Sequence, residues 1–345
     1  MERLHIAFFG PANSGKSTLV NALCGQEVSL VSPVPGTTTD PVRKTVELPG
    51  LGACVLIDTA GLDDASLLGP ERRRRTLAVL DETDIAVVLG MSVIPDLIGN
   101  LPVVTYTRGE SIESLLERLR AVAPKQEERF LTGNLVKAGD CVLLVMPQDS
   151  EAPKGRLILP QVQVLRELLD RGCNALCCTP ESLASALKRV TPDLVITDSQ
   201  VFGLVNRALP SSIPLTSFSV LLAGAKGDLR TFVDGASAID RLQPGDRLLI
   251  AEACTHVPDT EDIGRVKIPA LLRKKADIKV DIAAGNDFPE DLTPYQLIIH
   301  CGGCVATRTL VQSRIKKALR AGVPITNYGI AIAKLQGILE RIALP

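Results

Sequence analysis

Two cysteine- and histidine-bearing clusters are the first residues in this 345-residue chain whose types and spacing could do chemistry. They are Cys254-Thr255-His256 and, after a gap of 43 residues, His300-Cys301-Gly302-Gly303-Cys304. Three thiols with imidazoles nearby form a soft donor set. It suits either a structural zinc of the Cys₃His kind or an iron–sulfur cluster held by three thiolates. Zinc modules usually bring their ligands as two close pairs on small, loop-rich folds. Here each cluster follows a short apolar run that reads as a buried strand of a well-cored layer, which has no need of a zinc staple. Plain buried thiols account for single cysteines, not for five soft ligands in two tight groups. Iron–sulfur chemistry is the favoured expectation, with Gly302 and Gly303 allowing the tight turn that brings two thiolates to one centre.

The second candidate is a phosphate site. After the strand-like Leu4–Phe9 comes GPANSGKST over 10–18, which matches the P-loop pattern. Gly10 and Gly15 leave room for backbone N–H groups to wrap phosphates, and Asn13 and Ser14 lie within that wrap. Lys16 meets the outer phosphate charge, and the Ser17 hydroxyl suits Mg²⁺. Thr18 opens a helical pattern, so the phosphate would sit at a helix N-terminus. A turn-rich segment then carries Thr37 and Thr38. A strand ending in Asp58-Thr59-Ala60-Gly61 follows, with Asp58 in the Mg²⁺-reaching role and Gly61 placed to meet the γ-phosphate. These ordered elements resemble the Era and tRNA-modification branch of GTPases. That resemblance implies a K⁺ held by Asn13 and Thr37, and Thr38 as the Mg²⁺-reaching switch residue.

One part of that fold is missing. Such a GTPase continues through a strand ending in Asn-Lys-x-Asp, whose acid reads guanine. In this chain only eleven residues, 90–100, separate Val87-Val88-Leu89 from the next strand at 101–106, and neither that motif nor a Ser-Ala-Lys-like loop occurs. The expectation is a shortened nucleotide domain whose guanine preference is not written in the sequence and whose hydrolysis is weak or regulatory. The run Glu71-Arg72-Arg73-Arg74-Arg75 reads as a solvated helix face.

Alternating strands and helices must position both sites. A charged stretch near Lys125 marks a linker, and the later alternation implies parallel sheets with crossover helices. The expected organisation is α/β throughout, with a truncated P-loop GTPase-like domain over 1–124. Two smaller parallel-sheet domains follow over 125–213 and 214–345. The helices are expected at 161–171 and 181–190 in the middle domain. Ligands in open α/β sheets gather beyond the carboxyl ends of strands, where 254–256, 300–304 and the later Asn327-Tyr328-Gly329 all fall. Cys173, Cys177 and Cys178 read as buried thiols, and Asp198, Glu252 and Asp259 as solvated or capping carboxylates. Small apolar sheets often complete themselves by self-association. The 38 basic and 39 acidic residues nearly balance and aromatics are 3% of the chain, which argues against nucleic-acid binding. No apolar run is long enough to cross a membrane. The strand-like start carries no signal-peptide pattern, and nine cysteines fit a reducing compartment, so a cytoplasmic location is expected.

A P-loop module followed by Cys-x-His and His-Cys-x-x-Cys is an unusual pair. It resembles the HydF family of di-iron hydrogenase maturation GTPases and scaffolds, as do APKGRLILPQ at 152–161, IPLTSF at 213–218 and VPITNYG at 323–329. The resemblance implies that Cys254, Cys301 and Cys304 hold a 4Fe–4S cluster whose fourth iron is met by His256, His300 or a small molecule. It also implies GTP with Mg²⁺, a homodimer formed through the middle domain, radical-SAM maturases as partners, and an apo di-iron hydrogenase as recipient. Competing expectations are an RNA- or ribosome-associated GTPase with structural zinc, and a scaffold that binds nucleotide without hydrolysing it.

Overall fold

A computed structural model describes residues 3–25, 41–62, 69–90, 101–124, 129–148, 155–253, 262–285 and 287–345. The chain forms two compact units, Met1–Glu127 and Glu128–Pro345.

The first unit runs β1 (Leu4–Phe9), α1 (Lys16–Cys24), β2 (Val42–Leu48), β3 (Gly52–Asp58), α2 (Gly69–Ala78), β4 (Ile85–Leu89), β5 (Val103–Tyr106) and α3 (Ile112–Val122). Its five strands lie in the order β2-β3-β1-β4-β5, with only β2 antiparallel. Alternation along β1 sends Ile6 and Phe8 to one face and Ala7 and Phe9 to the other. The first pair packs with Leu19, Val20 and Leu23 of α1 and Leu115 and Leu119 of α3. The second packs with Ile57 and Val79 on the opposite face. β5 lies directly beside β4, and the next helix returns to the face of α1. Its N-terminus is capped by Ser111, whose Oγ accepts from the Ser114 N–H.

The second unit begins with β6 (Cys141–Val145), α4 (Leu159–Asp170), β7 (Asn174–Cys178), α5 (Leu183–Leu187), β8 (Leu194–Thr197), α6 (Phe202–Ala208), β9 (Leu215–Ser217) and α7 (Phe218–Lys226). It continues through α8 (Leu229–Ala236), β10 (Arg247–Ala251), α9 (Ile268–Arg273), β11 (Lys279–Ala283), β12 (Leu297–His300), α10 (Arg308–Arg320), β13 (Ile325–Asn327) and α11 (Tyr328–Leu335). Two parallel four-stranded sheets result, β7-β6-β8-β9 and β11-β10-β12-β13. The expected boundary at 213/214 therefore falls one strand and one helix early, because β9 and α7 complete the middle sheet. The helix expected at 181–190 is reduced to a 3₁₀ turn and the short α5.

The two sheets repeat one another in order and in detail. Each opens on a Gly-Asp turn with a left-handed glycine, Gly139 and Gly245. In each turn the aspartate accepts from the backbone N–H three residues earlier, Asp140 from Lys137 at 2.9 Å and Asp246 from Gln243 at 2.8 Å. Pairing to the central strand places Thr197 opposite Val145 and His300 opposite Ala251, so β8 and β12 occupy matching places. The last strands match too, with the 213–218 and 323–328 stretches each supplying a side chain, Ser217 or Asn327, that caps the following helix. The halves interlock. The Ala343 N–H donates to Leu215 O at 2.7 Å, returning the chain end to the middle sheet.

Of the middle-domain thiols, Cys173 is buried and Cys178 half-buried, but Cys177 is exposed on the edge strand β7, because adjacent strand residues face opposite sides. Among the described residues no helix is long and apolar enough to cross a membrane.

Candidate functional site

The phosphate loop is built as its sequence requires. Leu4–Phe9 delivers it at the end of a fully paired central strand, and a side chain at Gly10 would run into Leu89 O at 2.3 Å. Asn13 has φ 59 and Gly15 φ 95, so both occupy left-handed backbone. Asparagine tolerates that region better than most residues, which gives Asn13 a conformational reason to be there besides any ion. Gly15 is the N-cap of α1, and no side chain caps the helix, which leaves its first N–H groups facing the loop. Lys16 is buried and folds back over the loop, its Nζ donating to Gly10 O at 3.0 Å and Pro11 O at 2.7 Å. Ser14 is held between Gly10 and Gly90, while Ser17 is half-buried and Thr18 exposed.

Asp58 is fully buried at the end of β3, in register with Phe8 of β1. Next to it Thr59 Oγ1 donates to Phe8 O at 2.6 Å, which fixes the turn into Gly61. A side chain at Gly61 would sit 2.7 Å from Ala12 N, so this glycine is where the second phosphate-sensing segment touches the loop. Gly10, Lys16, Asp58 and Gly61 thus gather at the carboxyl ends of β1 and β3. Thr37 and Thr38 lie outside the described residues. Beyond β5, Thr107-Arg108-Gly109-Glu110 leads into α3. Glu110 Oε1 accepts from Ser114 Oγ at 2.8 Å and pairs with Arg118, and these bonds hold its carboxylate below the usual range, the serine bond foremost. On α2, Arg74 and Arg75 are exposed, as a solvated face requires.

The cysteine loop sits where β12 stops and α10 begins. Thr307 caps that 13-residue helix, accepting from the Leu310 N–H at 3.2 Å, so the loop lies at a helix N-terminus that favours negative charge. Cys301 Sγ accepts from Ala253 N–H at 3.1 Å and Gly303 N–H at 3.4 Å. Bonds of that kind stabilise a thiolate. Gly303 has φ 64, the left-handed value that lets the chain turn back towards Cys304. From the neighbouring strand, Asn327 donates to Cys301 O at 3.4 Å, and its Oδ1 accepts from Gly329 N–H at 2.8 Å. The third loop expected at this crevice therefore borders it. Cys254 and His256 lie outside the described residues, as does Asp259. Ala253, the residue before Cys254 in the sequence, is the one whose N–H reaches Cys301 Sγ. Among the described residues alone, no three His, Cys, Asp or Glu side chains form a metal-holding group.

His300 departs from its expected role as an iron ligand. It is buried, and Arg314 Nη1 donates to its Nε2 at 3.2 Å. A guanidinium only donates, so Nε2 is the acceptor and Nδ1 carries the proton that bonds Cys301 O at 2.8 Å. Burial first, and then the Arg314 charge, push its pKa down to about 3. The ring is neutral with both nitrogens engaged, and it props the backbone of Cys301. Arg314 is itself buried and also donates to Glu252 O at 3.2 Å and to Gly285 O. Glu252 is not the solvated carboxylate its sequence position implies. It is buried and paired with Arg265, whose Nη2 lies 2.8 Å from Glu252 Oε2. Sequence reasoning missed Arg314 and Arg265, since nothing separates them from other basic residues of helical segments. Arg314→Met is expected to cost roughly 3 kcal/mol, because it strips buried acceptors of their donor. The check is a lower urea midpoint for unfolding of the second unit at unchanged m-value.

Three family models match the chain. They are the hydrogen maturase F tetramerization domain over 230–345, the hydrogen maturase F dimerization domain over 131–227, and the 50S ribosome-binding GTPase domain over 5–134. The tRNA modification GTPase MnmE of Xylella fastidiosa is 45% identical over 87 residues, 25% of this chain and 19% of that protein. MnmE of Moorella thermoacetica is 44% identical over 84 residues, 23% of this chain and 18% of its own length. The chain thus spans about a fifth of these curated relatives. Aquifex aeolicus Era bound to GDP and aluminium fluoride superposes over 84% of this chain and 97% of its own, at 16% identity and a TM-score of 0.28. Toc33 from Arabidopsis thaliana covers 52% of this chain and 71% of its own, at 15% identity and a TM-score of 0.22. The GTPase fold rests on the strand order and the family model rather than on these superpositions. With a P-loop GTPase domain followed in order by both maturase F domains, the chain belongs to the hydrogen maturase F family.

Proposed function

We propose that the chain is a cytoplasmic carrier in di-iron hydrogenase maturation, holding a 4Fe–4S cluster on Cys254, Cys301 and Cys304. The observation that carries this reading is the 301–304 loop. It offers two thiols at a helix N-terminus, directs two backbone N–H groups at one of them, and is bordered by the segment that leads into Cys254. This donor set fits a cluster held by three thiolates. A cluster with only three protein thiolates supplies an iron whose fourth ligand exchanges, which suits a site that must accept and release a precursor. His256 or a small molecule is the better candidate for that place, because both nitrogens of His300 are occupied.

The GTPase domain would bind GTP with Mg²⁺ through Lys16, Ser17, Thr38 and Asp58, with K⁺ at Asn13 and Thr37, and act as a switch on partner affinity. The middle domain would form the homodimer. Among the described residues its edge strand β7 is unpaired on one side, and Leu159, Val162 and Leu169 leave apolar surface exposed on α4. Radical-SAM maturases would supply the di-iron precursor and an apo-hydrogenase would receive it. The test is to isolate the chain anaerobically after co-expression with such maturases and mix it with apo di-iron hydrogenase. Hydrogen evolution should appear only with chain isolated in that way. No activation beyond chain expressed alone would remove the carrier role.

A further inference from the structure

The cysteine loop is held from outside its own sheet. Lys226, the last residue of α7 in the middle domain, is only 6% exposed. Its Nζ donates to Gly303 O at 2.9 Å, Cys304 O at 3.2 Å and Ala306 O at 2.8 Å. An ammonium has three donors, and the loop turns three carbonyls onto it. The grip is returned, since Gln312 Nε2 of α10 donates to Lys226 O at 3.2 Å and Gly227 O at 2.8 Å. In a trans peptide the N–H points away from the C=O. Fixing Gly303 O on the lysine therefore turns the Cys304 N–H the other way, and the Gly303 N–H goes to Cys301 Sγ. A buried lysine is costly without compensation. The three carbonyl dipoles turned onto the ammonium help offset that cost.

We propose that Lys226 is the positioning residue of the cysteine loop. It sets the backbone that carries Cys301 and Cys304 and supplies a fixed positive charge beside whatever anionic centre they hold. The charge-compensating half rests on the cluster reading above; the backbone-setting half does not. By this route the middle domain, where self-association is placed, is bonded directly to the thiol loop.

The test compares Lys226→Met, which keeps length and loses charge, with Lys226→Arg, which keeps the charge. In iron-free protein, amide exchange over 300–307 should speed up at least tenfold in K226M, with β10 and the carboxyl half of α10 unchanged as the internal control for folding. In anaerobically reconstituted protein, K226M should hold a cluster that is harder to reduce. At the wild-type midpoint its ratio of reduced to oxidised cluster should fall about tenfold, equivalent to about 59 mV for one electron. K226R should restore most of that shift. Exchange and midpoint both unchanged in K226M would overturn the proposal. If exchange quickens while the midpoint stays, or if K226R fails to restore the midpoint, the charge role falls. Wild-type chain that takes up no iron would instead overturn the cluster reading, and the exchange measurement would still decide whether Lys226 sets the loop.

Discussion

Cys301→Ala is expected to abolish iron loading while leaving the fold intact. The thiol is half-buried at the end of β12, and its sulfur accepts two backbone N–H bonds. Removing it leaves those donors without an acceptor, at a cost of roughly 1–3 kcal/mol. That is a modest loss for a strand end whose residues Leu297, Ile298 and Ile299 are fully buried. The effect on metal should be far larger, because two thiolates would remain where the proposed cluster uses three. Iron and acid-labile sulfide should drop from about four each per chain to near zero. The urea midpoint should move only slightly. A variant that still bound its full complement of iron and sulfide would show that Cys301 is no ligand.

Lys16→Ala is expected to weaken nucleotide binding by about a hundredfold, or about 3 kcal/mol. The ammonium lies over the loop on Gly10 O and Pro11 O, already buried and aimed across the opening of the phosphate wrap. Charge-assisted bonds to phosphate are the strong ones, and no neighbouring basic group of the loop can replace this one. Titration with a fluorescent GTP analogue in Mg²⁺ and K⁺ is the check. Unchanged affinity in K16A would mean that the loop does not bind phosphate in the expected way.

Much of this was legible in the residues. The strands came out of short apolar runs because strands buried on both faces must be apolar, and Leu4–Phe9 has the bounds its sequence implies. The P-loop was legible because its glycines answer a steric demand that few other sequences meet. What escaped depended on partners far away in the chain. His300 looks like a ligand by its neighbours, and only the fold reveals that Arg314, fourteen residues on, occupies its Nε2. Lys226 carries no local signal at all; its role comes from carbonyls more than seventy residues later. The expected boundary near 213 falls early because the apolar run after Pro214 reads equally well as the opening of a new unit, whereas its strand closes the middle sheet. IPLTSF at 213–218 and VPITNY at 323–328 are the same closing strand and cap written twice, and this repeat marks the end of each sheet.

The measurement that bears most directly on the carrier reading is metal content and electron paramagnetic resonance on anaerobically purified, reduced protein. About four iron and four sulfide per chain, with the signal of a reduced cubane, is the expected result. Stoichiometric zinc with no iron would contradict it, and would leave a GTPase of this family fold whose cysteines hold a structural metal.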